Sequence, residues 1–181
     1  MAKRPRCVCI IIDVQPLFIK ERTESVVSSI KRLMKCTRFD LVVQTIWHNN
    51  SSSNFFKRLN YTKGIEKENP YLDIKTNNIV SRTGYSTITE EMKSILSKDD
   101  IIFICGLETD ACVMATCLDL FSAGYNFYVV TDAIGSNDYE AHNTALYLMQ
   151  RNFGHRSFIE VSNVQEKYWQ DVFNKVSTDL E

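Results

Sequence analysis

The sequence predicts an α/β fold: a three-layer, Rossmann-like arrangement in which a parallel sheet is flanked by helices. Short apolar runs recur along the chain: "CVCIII" (7–12), "LVVQTI" (41–46), "IIFIC" (101–105), "NFYVVT" (126–131) and a weaker "SFIEV" (157–161). They are β-branched or aromatic, and continuous rather than alternating, as strands buried on both faces read. Segments with helical spacing lie between them, and strands alternating with helices of that length build βαβ units.

Taken in order, the start "MAKRPRCVCIIIDVQ" is basic, but its apolar run stops at Asp13. That is short of the ~7–15 apolar residues of a secretory leader, so it reads as a first strand. Val26, Val27, Ile30, Leu33 and Met34 then share one face of a helix. The region from Asn49 to Asn78 breaks the rhythm: it is rich in Asn, Ser and Lys yet carries Phe55, Phe56, Leu59, Tyr61 and Tyr71. So many aromatics argue for an ordered excursion that covers a site or packs on a neighbouring subunit. Further helical faces are Ile88, Met92, Ile95 and Leu96; Val113, Met114, Cys117, Leu118 and Phe121; and Ala141, Ala145, Leu148 and Met149. The tail from Val164 to Phe173 is amphipathic, with Tyr168, Trp169, Val172 and Phe173 on one side. No repeat and no boundary interrupts the chain, so residues 1–181 are expected to form a single domain.

Composition narrows the function. Lys plus Arg (21) and Asp plus Glu (22) nearly cancel over 181 residues. Neither nucleic acid nor a membrane is an expected partner, and a small-molecule substrate is. Six cysteines in a chain too long to need a disulfide framework suit reduced thiols and a cytoplasmic location. No run approaches the ~20 apolar residues that span a bilayer.

The chemistry concentrates in "GLETDACVMATCLDLF", 106–121. Gly106 permits an unusual backbone conformation, and Thr109 or Asp110 can cap the following helix. Cys112 falls in the first turn, where the helix dipole and free backbone N–H groups favour a thiolate and can hold an oxyanion. Against this stands the commoner fate of a cysteine as a small buried hydrophobe, the reading given to Cys117. Asp13 ends the first strand. If the first and fourth apolar strands are neighbours where the strand order reverses, Asp13 and Cys112 open into one crevice. A carboxylate there can take the thiol proton and return it to a leaving amine; otherwise Asp13 is a turn or capping residue. Gln15 reads equally as a surface residue.

The combination "DVQPLF", "RTGYST" and "GLETDACV" resembles the isochorismatase-like cysteine hydrolases, which include nicotinamidases and N-carbamoylsarcosine amidase. Their patterns are D-x-Q plus an aromatic, K-x-x-Y-S, and G-x-x-T-D-x-C-V. The third is complete here as Gly106, Thr109, Asp110, Cys112 and Val113, and the likeness runs from about Cys7 to Gly154, including "VVTDAIGS" and His142. The resemblance implies a six-stranded parallel sheet, an Asp, Lys and Cys triad, and a non-proline cis peptide at Leu107–Glu108. That bond would aim backbone N–H groups near Glu108 and Cys112 at the oxyanion. It also implies a homo-oligomer, for which the tail and the 49–78 excursion offer surfaces.

The second motif departs from the family, with Arg82 in place of lysine. Arginine keeps the positive charge but does not readily release a proton. Arg82 can serve electrostatically, or bind Asp13 in a two-pronged pair that would shift both proton transfers onto Asp13 or silence them; Lys75 is a remote substitute. The zinc site of nicotinamidases needs an Asp-x-His pair and a further His. Here "QTIWHNNSSSNFF" holds His48 without these partners, so no metal and no cofactor is expected. His142 and His155 read as structural or exposed. Phe18, Trp47 and Tyr139 each follow a strand's carboxyl end and are candidates to wall a substrate pocket. No glycine-rich phosphate loop is present. The expected function is cysteine-dependent hydrolysis of a C–N bond in a small amide or carbamoyl compound through an acyl-enzyme. A weak or inactive binding protein is the alternative, and vinyl-ether hydrolysis of isochorismate a further one.

Overall fold

The computed structural model describes residues 4–66 and 68–178. Its strands are β1 (Cys7–Ile12), β2 (Leu41–Trp47), β3 (Asn78–Arg82), β4 (Ile101–Leu107), β5 (Asn126–Gly135) and β6 (Phe158–Ile159). Its α-helices are α1 (Glu24–Cys36), α2 (Asn54–Leu59), α3 (Glu90–Ile95), α4 (Met114–Ser122), α5 (Tyr139–Phe153) and α6 (Val164–Thr178). The strands form one sheet in the order β3-β2-β1-β4-β5-β6, every pair parallel.

Continuous apolar strands follow from a sheet covered on both sides. Cys7, Cys9 and Ile11 of β1 face one core with Phe103, Cys105, Val26, Ile30, Leu33 and Tyr168. Val8, Ile10 and Ile12 face the other with Ile102, Ile104, Met92, Cys117, Leu120 and Met149. Each fully buried Ile or Leu contributes roughly 1.5–3 kcal/mol by leaving water. The tail helix splits its predicted stripe: Tyr168 and Val172 are buried, whereas Trp169 and Phe173 are exposed. β3 was not among the apolar runs, because as an edge strand it leaves Ile79 exposed and buries only Val80 and Arg82.

The strand order reverses at β1, which pairs with β2 on one side and β4 on the other. Ligands bind at such a switch point, outside the carboxyl ends of the strands. Gly106 lies opposite Ile12 with φ +121°, and a Cβ on it would come within 2.1 Å of the Ile12 carbonyl oxygen. Glycine thus lets the ends of β1 and β4 approach closely enough for their following residues to share one site.

Candidate active site

Asp13 leaves β1 in the left-handed region, φ 48°, and is fully buried. Its Oδ1 accepts a hydrogen bond from Thr45 Oγ1 at 2.7 Å, and its Oδ2 accepts one from Arg82 Nη2 in a buried ion pair. Arg82 comes from the end of β3, two strands away. The two-pronged pairing is not formed: Nη1 donates instead to the Gly84 carbonyl, and Nε has no partner among the described residues. Arg82 thereby ties Asp13 to the backbone of its own loop.

Beyond β4 the Leu107–Glu108 peptide bond is cis, and Thr109–Val113 forms a wide turn that runs into α4. The predicted caps are absent. Thr109 is buried and pairs through Oγ1 with His142 Nδ1 at 2.9 Å, and Asp110 Oδ1 accepts from Ser136 Oγ at 2.5 Å. Thr109 thus fastens the turn to α5 and Asp110 fastens it to the β5–α5 connection. Cys112 sits in this turn with its carbonyl bound by Thr116 Oγ1 at 2.7 Å.

Asp13 and Arg82 are the charged side chains whose fields act on the Cys112 thiol. Burial pushes its pKa well up, Asp13 adds to the rise, and Arg82 opposes it. A helix terminus favours a thiolate by ~0.3–1 kcal/mol, less than the roughly 4–7 kcal/mol by which full burial disfavours a charge, so burial is the larger influence on this sulfur.

Cys112 opens into a cavity of about 300 Å³. Its walls are aromatic: Trp47 meets Phe18, Phe55 and Tyr61 edge-on at centroid distances of 5.9, 5.1 and 5.9 Å. Phe55 packs on Tyr85 at 4.7 Å. The excursion supplies α2 and the loop after it, so it covers the site, with Phe55, Leu59, Tyr61 and Lys63 in the lining. Gln15, which the sequence left open, is buried. It clamps the Trp47 backbone, accepting from its N–H at 2.7 Å and donating to its carbonyl at 3.0 Å.

Of the predicted wall residues, Phe18 and Trp47 line this cavity and Tyr139 does not. Tyr139 opens α5, is 63% exposed, and borders a separate hollow with Arg22 and His142. Its strand ends on the far side of β4, facing away from the excursion. Lys75 is exposed and takes no part in the lining. His48 donates its backbone N–H to the Arg82 carbonyl at 3.0 Å. A zinc site does not fit here: among the described residues no three His, Cys, Asp or Glu side chains gather as ligands. Sequence reasoning missed Thr45 and Asn137; a polar residue inside the apolar run "LVVQTI" was the available signal for the first.

Fold and site together define a parallel α/β protein whose switch-point cavity opens onto a thiol backed by a carboxylate and a guanidinium. The isochorismatase domain matches residues 7–165, and the chain belongs to the isochorismatase family. It is 34% identical over 96 residues to isochorismatase domain-containing protein 2 of Xenopus laevis, covering 51% of this chain and 46% of that protein. Isochorismatase family protein 2A of Dictyostelium discoideum is 25% identical over 150 residues, 78% of this chain and 72% of that one. The matched segment thus spans about half of the first of these relatives. Among solved structures, a cysteine hydrolase from Pseudomonas syringae pv. phaseolicola superposes with a TM-score of 0.74 at 18% identity, covering 91% of this chain and 93% of that one. A nicotinamidase from Bacillus subtilis gives 0.64 at 22% identity, covering 86% and 99%.

Proposed function

We propose that the chain is a cysteine-dependent hydrolase of the C–N bond in a small amide or carbamoyl compound. The observation that carries this reading is the buried Asp13–Arg82 ion pair, whose charges act on the Cys112 thiol at the base of an aromatic cavity. Asp13 takes the thiol proton as the sulfur attacks the substrate carbonyl carbon, and backbone N–H groups near Glu108 and Cys112 hold the resulting oxyanion. The proton passes to the leaving nitrogen, the C–N bond breaks, and a thioester remains. Water then attacks the thioester, giving its proton to Asp13; the acid departs and the sulfur recovers the proton. Arg82 stays charged throughout and compensates the negative charge as it moves between oxygen and sulfur.

A slower variant of this chemistry is favoured by one specific feature, the buried Arg82–Asp13 ion pair. The guanidinium does not readily release a proton, so it takes no part in the proton transfers that an amine in its place could share.

The test is ammonia release from a panel of small amides and ureas. The wild-type chain is expected to turn over at least one, and Cys112→Ala to abolish release. Arg82→Lys is expected to raise the rate by about tenfold or more if proton transfer limits it; unaltered turnover would clear Arg82 of that role. A wild-type chain that iodoacetamide alkylates at Cys112, yet that releases no ammonia, would establish a binding protein instead.

A further inference from the structure

The cavity contains an acceptor that the proposed chemistry does not use. Among the described residues that line it, Glu108 alone carries a carboxylate. Asn137 holds that carboxylate from two directions: its backbone N–H donates to Oε2 at 2.7 Å and its side-chain Nδ2 donates to Oε1. The same Nδ2 donates to the Phe18 carbonyl at 2.9 Å, so one asparagine fixes both the acid and the neighbouring aromatic wall. Each carboxylate oxygen accepts one bond from Asn137, and an ionised carboxylate has about four acceptor positions. The unused capacity belongs to a fixed, half-buried group beside the nucleophile.

The lining also carries Lys20 and Lys63, which make no ion pair among the described residues. Two ammonium groups in the same cavity disfavour a cationic ligand, whereas a neutral N–H is attracted to the carboxylate without that repulsion. Glu108 follows β4 and begins the turn that bears Cys112. A substrate carbonyl at the sulfur therefore places its flanking atoms near the acid.

We propose that Glu108, clamped by Asn137, determines specificity by accepting a hydrogen bond from an N–H on the side of the substrate carbonyl opposite the leaving nitrogen, so that ureido compounds are preferred over plain amides. The inference rests on the reading of this cavity as the substrate site, and its test does not require turnover. Burial raises the Glu108 pKa while the two Asn137 donors, and more weakly Lys20, lower it and Asp110 raises it. Tyr61 and Lys63 are the other titratable groups of the excursion in the lining. The acceptor is accordingly converted to an acid at a pH above the ordinary glutamate range, and the preference should fade there on acidification.

Phenylurea and 2-phenylacetamide are suitable probes, since they differ by an N–H in place of a CH2 next to the carbonyl. Calorimetric titration of the Cys112→Ala chain is expected to show phenylurea binding about tenfold tighter, the worth of one hydrogen bond to a charged group. Adding Glu108→Met should abolish that ratio while leaving 2-phenylacetamide affinity nearly constant. Equal affinities in the Cys112→Ala chain, binding of neither probe, or a ratio that survives Glu108→Met would overturn the proposal. Should the double variant fail to fold, titration of the Cys112→Ala chain against pH decides: a ratio that falls on acidification supports the assignment, and a flat ratio overturns it. Ammonia release by the wild-type chain reports separately on the hydrolase reading.

Discussion

Asp13 does two things to Cys112 that pull in opposite directions. As a neighbouring charge it raises the thiol pKa and so favours the protonated sulfur; in the proposed mechanism it is also the base that removes that proton. Asp13→Asn separates the two effects. Without the carboxylate, Arg82 is left as the charged partner of the sulfur, and a thiolate becomes its counter-ion. Alkylation of Cys112 by iodoacetamide at pH 7 should then speed up by about tenfold, while turnover is lost because no base remains. The two rates are measured on the same preparation, with a thermal melt to confirm folding; slower alkylation would mean that Asp13 does not act on the sulfur as argued. At this scale Cys112, Asp13 and Arg82 could be picked out as candidates because each belongs to a motif that lies at or just beyond a strand's carboxyl end. Thr45, Gln15 and Asn137 escaped because their roles are set by partners 32 or 29 residues away. Tyr139 was misjudged since following a strand's end does not say on which side of the switch point that strand lies.

The site is assembled by the way elements end. β1 stops in a left-handed residue, β4 passes through a glycine, and the turn after it leaves its first residues bonded to α5 and to the β5–α5 connection. Gly106 is the tightest of these constraints. Gly106→Ala would drive a Cβ into the β1 backbone, with Ile12 O, N and C at 2.1, 2.5 and 2.8 Å. Backbone on neighbouring strands cannot swing aside as a side chain can, so the expected loss is on the order of 4 kcal/mol or more. Gly124→Ala is the matched control: φ is +71° but nothing lies within 4 Å, and only conformational strain of roughly 1 kcal/mol should appear. Urea denaturation of both variants measures the difference, and comparable losses would show that close approach at Gly106 is not what joins the two strands. Four strands were legible within a few residues from continuous apolar runs. β3 was not, for a half-exposed edge strand has no such run, and α2 was hidden because a six-residue helix with no buried residue leaves no periodic stripe to read.

Across the whole molecule, the sheet separates two apolar layers that share every central strand. One layer contains α1 and α6, the other α3, α4 and α5. The N-terminal segment adds ties across elements: Tyr168 Oη donates to the Pro5 carbonyl at 2.8 Å, and Arg6 bridges to Asp100 at 2.6 Å. Neither layer has a sheet of its own, so unfolding one exposes the strands that the other covers, and the chain should unfold in a single step despite a length at which small-domain cooperativity often fails. The two tryptophans are placed to test this. Trp47 is buried at the end of β2 in the cavity wall, and Trp169 is 43% exposed on α6. In Trp169→Phe only Trp47 reports, and in Trp47→Phe only Trp169; each variant's fluorescence midpoint in urea should coincide with its own far-ultraviolet circular dichroism midpoint. Comparison within a variant cancels whatever stability the substitution itself removes. A Trp169 transition that precedes loss of helical signal would show that α6 detaches first and that the layer beneath it folds as a separate unit.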